Sequence, residues 1–133
     1  DKNIADDLKV VVEDGSVLLT GKVKKSKQKI KLTEISWGIR GVNEVNNKIQ
    51  ISDVSNIKNL ARDIASVGEI RAKLLANSEI NSLNFSIDVV NDAAYLSGIA
   101  SSENEMNLVT NIAQEARFVK EVFNYIKINP DKR

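Results

Sequence analysis

Three features of the chain predict an α+β fold built as two similar units. They are a gapless internal repeat, a tight hairpin turn inside each copy, and an apolar spacing that changes from two to three or four residues after each hairpin. A shift of 77 positions lays Leu8, Val10 and Val12 on Phe85, Ile87 and Val89, and Gly21 on Gly98. Further on, Ile35 meets Ile112 and Val42 meets Val119, while Asn47, Ile49 and Ile51 meet the identical Asn124, Ile126 and Ile128. Apolar residues fall on apolar residues at one phase, so structure is what repeats.

In the first copy Leu8, Val10 and Val12 alternate as in a strand with one buried face. Asp14-Gly15 is a strong hairpin signal, and Val17, Leu19, Gly21 and Val23 resume the alternation. Asn91-Asp92 is the weaker counterpart in copy two. A helix follows each hairpin, with Leu32, Ile35 and Ile39 matched by Val109, Ile112 and Ala116. Ser102 to Glu105 reads as a capping box, in which hydroxyl and carboxylate satisfy each other's backbone N–H. Gly41 sits where a left-handed residue would follow the first helix, whereas copy two has Phe118.

An additional helix is predicted over Ile57 to Leu75, its stripe being Leu60, Ile64, Val67, Ile70 and Leu74. Ser52 to Asn56 is expected to supply its cap. The organisation is thus residues 1–52 as a first ββαβ unit, 53–56 as a linker and 57–129 as a complete αββαβ unit. Each unit should form a mixed three-stranded sheet with its helices on one face. Only seven residues precede the first strand, so unit one is read as lacking its N-terminal helix through truncation. A three-stranded sheet under one helix buries little apolar surface.

Composition removes much chemistry. The 133 residues carry a net charge of +1 and contain neither His nor Cys. Zinc-finger sites, His-based triads, CxxC redox chemistry and disulfides are therefore excluded. No phosphate-cradling Gly-rich loop occurs, and pairs such as Glu103/Glu105 show no convergence in a cleft. No catalytic residue, metal site or cofactor is assigned. The uncharged stretches Ala93–Ser102 and Met106–Gln114 fall far short of the roughly 20 residues that span a bilayer.

Val10, Val12, Asp14, Gly15, Val17, Leu19 and Gly21, followed by Gly41, Val42, Val45, Asn47 and Ile49, resemble the BON domain of bacterial envelope proteins. The tandem arrangement, with Ile70 to Leu75 leading into the second copy, is similar to the dual-BON-domain lipoproteins of Gram-negative bacteria. Phe118, where the family prefers Gly, departs from the pattern. The resemblance implies a non-enzymatic envelope-maintenance protein of the periplasm. It further implies a tether to the outer membrane through a lipidated Cys upstream of Asp1, and contact with anionic phospholipid through the first helix of the second unit.

Three surfaces are candidates. Lys58, Arg62, Arg71 and Lys73 place cations beside the apolar stripe of the 57–75 helix, suited to an anionic lipid surface. A solvated helix face with its stripe in the core is the alternative. The lysines at 22, 24, 25, 27, 29 and 31 form an auxiliary basic patch or a solubilising surface. With no interleaved aromatics and a nearly neutral chain, nucleic acid is not an expected partner. Finally, alternation puts Tyr95, Ile99, Phe123 and Tyr125 on the sheet face opposite the helices. The other unit is the first partner expected there, then a second copy or another protein. That face carries the alternative reading of the chain as a scaffold or chaperone-like module.

Overall fold

The computed structural model describes residues 5–131. Strands β1 (Ala5–Glu13) and β2 (Ser16–Val23) form an antiparallel hairpin. Its turn residues, Asp14 and Gly15, have φ of 51° and 82°. These are the values of a type I′ turn, whose twist matches that of the strands. Helix α1 (Ser26–Trp37) then returns the chain so that β3 (Glu44–Asn47) and β4 (Gln50–Ile51) lie parallel to β2. Helix α2 (Leu60–Ala76) and a short 3-10 turn at Ser82–Asn84 lead into the second unit. There β5 (Phe85–Val90), β6 (Ala93–Ala100), α3 (Glu103–Gln114), β7 (Glu121–Asn124) and β8 (Lys127–Ile128) repeat the same order. Asn91 and Asp92, with φ of 51° and 67°, make the second I′ turn without glycine.

The predicted last strand of each unit is broken in two, so each sheet has four segments rather than three strands. The repeated asparagine makes the break. Asn47 Oδ1 accepts the Ile49 N–H at 3.0 Å, while its Nδ2 donates to Thr33 Oγ1 at 2.7 Å and Lys29 O at 2.9 Å in α1. Asn124 accepts the Ile126 N–H at 2.9 Å and reaches Thr110 Oγ1. One side chain thus terminates a ladder segment and anchors it to the helix above.

Helix ends differ from expectation in two places. Residues 57–59 are not helical, and the Asn59 cap of α2 has no side-chain hydrogen bond of its own. One residue before the cap, Asn91 Oδ1 accepts the Lys58 N–H at 2.9 Å and ties the approach to α2 to the second hairpin turn. At α3, Ser102 Oγ accepts the Glu105 N–H at 3.1 Å as predicted. The Glu105 carboxylate accepts from the Ser101 N–H and, across the unit, from the Asn81 N–H, each at 2.8 Å. It therefore ties the α2–β5 connection to α3 besides capping.

Unit two has the fuller core. Ile70 and Leu74 of α2, Phe85, Ile87 and Val89 of β5, Leu96 of β6 and Val109 of α3 are buried together. Unit one buries Val17, Leu19, Trp37, Val42, Val45 and Ile49. The first strands of the two units differ in cover. Leu8, Val10 and Val12 are 36–64% exposed, while their counterparts Phe85, Ile87 and Val89 are at most 8% exposed beneath α2.

The two units pack on one another. Helix α1 is covered on one side by its own sheet and lies with the other against the outer face of β5 and β6. Trp37 is buried there and donates from Nε1 to Ser86 Oγ at 2.8 Å, and Ser86 passes the chain on to Val45 O at 3.0 Å. Ile99 packs on the core of unit one.

Candidate functional site

The I′ turn at Asn91-Asp92 holds the start of α2 and decides what its cations can do. Asp63 is buried, and its carboxylate accepts the Asn91 N–H at 2.8 Å and the Asp92 N–H at 3.0 Å. Asp92 in turn takes a two-point contact from Arg62, with Nε at 3.1 Å and Nη2 at 2.6 Å. The planar fork of a guanidinium matches a carboxylate edge in this way. The Arg62 and Arg117 guanidinium carbons stand 5.3 and 5.4 Å from the Phe118 ring centre, so the residue that replaces glycine clamps α2 to the turn after α3.

Arg71 is also engaged. Its Nη1 donates to Ser82 O at 3.0 Å and its Nη2 to Phe85 O. Burial lowers its pKa, against the opposing pull of Glu44 and Asp88. Lys73 pairs with Glu69 at 3.1 Å in an exposed i,i+4 bridge, and Glu69 also accepts the Arg117 N–H. The Lys58 side chain is exposed and meets no acid among the described residues. Of the four candidate cations, two are built into the fold, one shares its charge, and Lys58 faces solvent unneutralised.

The apolar stripe divides as well. Ile70 and Leu74 are fully buried, but Leu60 is 45% and Ile64 64% exposed. They form one wall of a cleft of about 290 Å³ between α1 and α2. Ile30 and Lys29 of α1 form the opposite wall, Ile51 and Ile57 flank it, and residues 87–90 of β5 lie along it.

The lysine run splits because residues two apart on a helix point to opposite sides. Lys29 faces unit two, lining the cleft near Asp88, while Lys25 pairs with Asp53 of the linker at 3.4 Å. Lys27 and Lys31 face away and, with Leu32 and Ile35, line an outer trough of about 420 Å³. Lys22 and Lys24 are exposed beside the start of α1. On the sheet face, Tyr95 and Phe123 stack with ring centres 5.0 Å apart, and Tyr125 is 43% exposed next to Glu34 and Trp37.

Asp88 is a half-buried charge at the inter-unit contact. Burial pushes its carboxyl above the usual carboxylate range, opposed by Lys29, a hydrogen bond from Thr33, and Arg71. A folded-state pKa raised above the unfolded value means that stability falls as pH rises through that interval. Asp88→Asn is therefore expected to raise the thermal midpoint at neutral pH. The advantage should vanish below the ordinary carboxylate pKa of about 3.9, where both states are protonated. Melting curves of both proteins from acid to neutral pH check this.

The BON domain family model matches residues 2–53 and again 57–130. The chain belongs to the BON-domain family. Among BON-domain relatives, it is 36% identical to an uncharacterized protein from the gshII 5′ region of Anaplasma centrale, over 92% of this chain and 82% of that one. Identity to the osmotically-inducible protein Y of Escherichia coli is 29%, over 91% of this chain and 61% of the relative. With the outer membrane lipoprotein DolP of Haemophilus influenzae it is 25%, over 86% and 58%. The chain thus spans about three fifths of the length of the last two.

Several residues that organise this BON pair escaped the sequence reading. Asp63 carries no motif, and the Asn91-Asp92 turn, 29 positions away at Asp92, gives no sign of its contacts with Asp63 and Arg62. Asp88 and Ser86 sit at outward positions of β5, where polar residues signal solvent until a second unit is known to cover them. The identity of Asn47 and Asn124 across the repeat was the one available sign of their anchoring role.

Proposed function

We propose that this chain is a non-catalytic module of the bacterial envelope that binds anionic phospholipid at the membrane surface through the N-terminal half of α2. The observation that carries the proposal is the division of the α2 stripe. Leu60 and Ile64 stay in solvent beside Lys58, while Ile70 and Leu74 hold the helix to its core. Exposed apolar side chains next to a cation suit the boundary between headgroups and acyl chains. Lys73 and the outward Lys27 and Lys31 add positive potential. Likeness to DolP supports a periplasmic location and a tether to the outer membrane through a lipidated cysteine upstream of Asp1. No described helix is long and apolar enough to cross a membrane.

Co-sedimentation with vesicles tests the proposal. Phosphatidylglycerol vesicles should retain the protein at low salt and release it at high salt, and phosphatidylcholine vesicles should not bind it. Each cation near the headgroups is worth about 1 kcal/mol, or roughly fivefold in affinity. Lys58→Glu should therefore weaken binding at least about that much, and Ile64→Asp should weaken it further. Arg62→Glu is not a clean probe, because it breaks the clamp on Asp92. Absence of binding to either vesicle overturns the proposal.

A second reading rests on the Tyr95–Phe123 stack and the exposed Tyr125. These aromatics at the rim of the inter-unit contact suit a scaffold that binds protein. Binding of that kind would depend on Phe123 and Tyr125 and not on Lys58.

A further inference from the structure

The β5 strand is an edge strand, and the two-residue turn fixes which of its peptide groups face outward. With Val90 opposite Ala93 across a I′ turn, Val90, Asp88 and Ser86 exchange hydrogen bonds with β6. The N–H and C=O groups of Phe85, Ile87 and Val89 therefore point away from β6. Phe85 O is taken by Arg71, and beyond the other end Asn91 N is taken by Asp63. Both ends of the edge are thus closed by side chains. Between them, the outward N–H and C=O of Ile87 and Val89 have no hydrogen-bond partner among the described residues.

These four groups lie along the cleft between α1 and α2. Its walls come from helices on opposite faces of the same sheet, Leu60, Ile64 and Val67 on one side and Ile30 on the other. A strand laid beside β5 would send alternate side chains to the two walls while its main chain paired with Ile87 and Val89. An acyl chain could fill the apolar space but would leave two N–H and two C=O groups without partners, each a loss when water is displaced. The cleft also continues an interface already made, since β3 meets the start of β5 where Ser86 bonds Val45 O.

We propose that this cleft binds an extended peptide segment of a partner protein, apolar at alternate positions, by adding it as a strand to the β5 edge. The site goes beyond the membrane reading. The two share Leu60 and Ile64, but only the peptide uses the main chain of β5, and only the lipid needs Lys58.

A probe of known strand character is the sequence of residues 8–13, Leu-Lys-Val-Val-Val-Glu, as an end-capped synthetic peptide. Added to the full chain, it should slow hydrogen exchange at the Ile87 and Val89 amides and shift the resonances of Ile30, Leu60 and Ile64. N-methylating alternate peptide residues removes the donors of one edge at a time. One of the two N-methylated peptides should lose binding and the other keep it. Ile64→Asp, at an exposed position that leaves the core intact, should weaken the peptide at least about tenfold, whereas Lys58→Glu should leave it unchanged.

No binding up to about 1 mM, the weak end of specific recognition, overturns the proposal. So does binding that leaves the Ile87 and Val89 amides unprotected, or that treats both N-methylated peptides alike. A lysophosphatidylglycerol monomer that perturbs the cleft where the peptide does not would overturn it in favour of an acyl-chain site. Loss of vesicle binding in Lys58→Glu with peptide binding retained separates the two readings.

Discussion

Gly98→Ala should be the most damaging methyl group that can be added to this chain. Gly98 stands opposite Phe85 with φ of +131°, a conformation that L side chains rarely adopt. A Cβ built there lies 2.1 Å from Asn84 O and 2.9 Å from the Phe85 Cα. Both obstacles are backbone, so no rotamer change relieves the overlap. The strand pair must open just where Phe85 enters the core. Strain at such a φ is worth about 1–3 kcal/mol and overpacking a further 1–3 kcal/mol, or about 2–6 kcal/mol together. That is a large part of the total stability of a small domain.

The other glycines grade the prediction. Gly21, its repeat partner, has φ of +123° and would place a Cβ 2.7 Å from Asp7 O. Its neighbour β1 is exposed and bulged, so relaxation is easier and the loss smaller. Gly41 has φ of +88° with nothing within 4 Å, leaving strain alone. Gly68, inside α2, has open space and no positive φ, so alanine should stabilise there by about 1 kcal/mol through helix propensity. Urea denaturation of the four alanine variants should rank them in that order. If Gly98→Ala fell within error of Gly41→Ala, close strand approach would not be the reason for the repeated glycine.

The ranking also shows what a single sequence discloses. Hairpins, helices and the repeat were legible because each rests on local physics: alternation for strands, Asp-Gly for the turn, three-to-four spacing for helices. The need for glycine at 21 and 98 could be suspected from the repeat, yet its cause is the approach of a strand many residues away. The candidate site was less legible for the same reason. Arg62 and Arg71 look like Lys58 and Lys73 on a helical wheel. They differ because Asp92, Ser82 and Phe85 come within reach only after β5 and β6 have formed. Arginine presents a fork that carboxylates and carbonyls accept at two points, so it is the cation that folding captures, while lysine keeps its hydration and stays outside. The division of the α2 stripe was equally hidden. Periodicity gives the direction in which Leu60 and Ile64 point, not whether the neighbouring unit reaches far enough to cover them.

Trp37→Ala should then report on the union of the two units and not on unit one alone. Truncating a buried tryptophan costs about 3–5 kcal/mol, and here the side chain serves two cores. It fills unit one under Val42 and Val45, and it sends Nε1–H to Ser86 of unit two. Trp37→Phe separates the contributions. Most of the packing stays, and Ser86 Oγ loses the indole donor but keeps its own bond to Val45 O, so a loss of about 1 kcal/mol is expected. Hydrogen exchange gives the decisive comparison. In Trp37→Ala, amides of β6 near Ser97 and Ile99 should exchange faster along with those of unit one, because α1 covers both. Faster exchange confined to unit one would mean that the linker alone joins two independent modules. The cleft beside β5 would then lose its α1 wall, since Ile30 and Lys29 stand against β5 only while α1 stays docked. Peptide binding in Trp37→Ala should weaken in step with that undocking, whereas vesicle binding through Lys58, Leu60 and Ile64, all carried by unit two, should survive it.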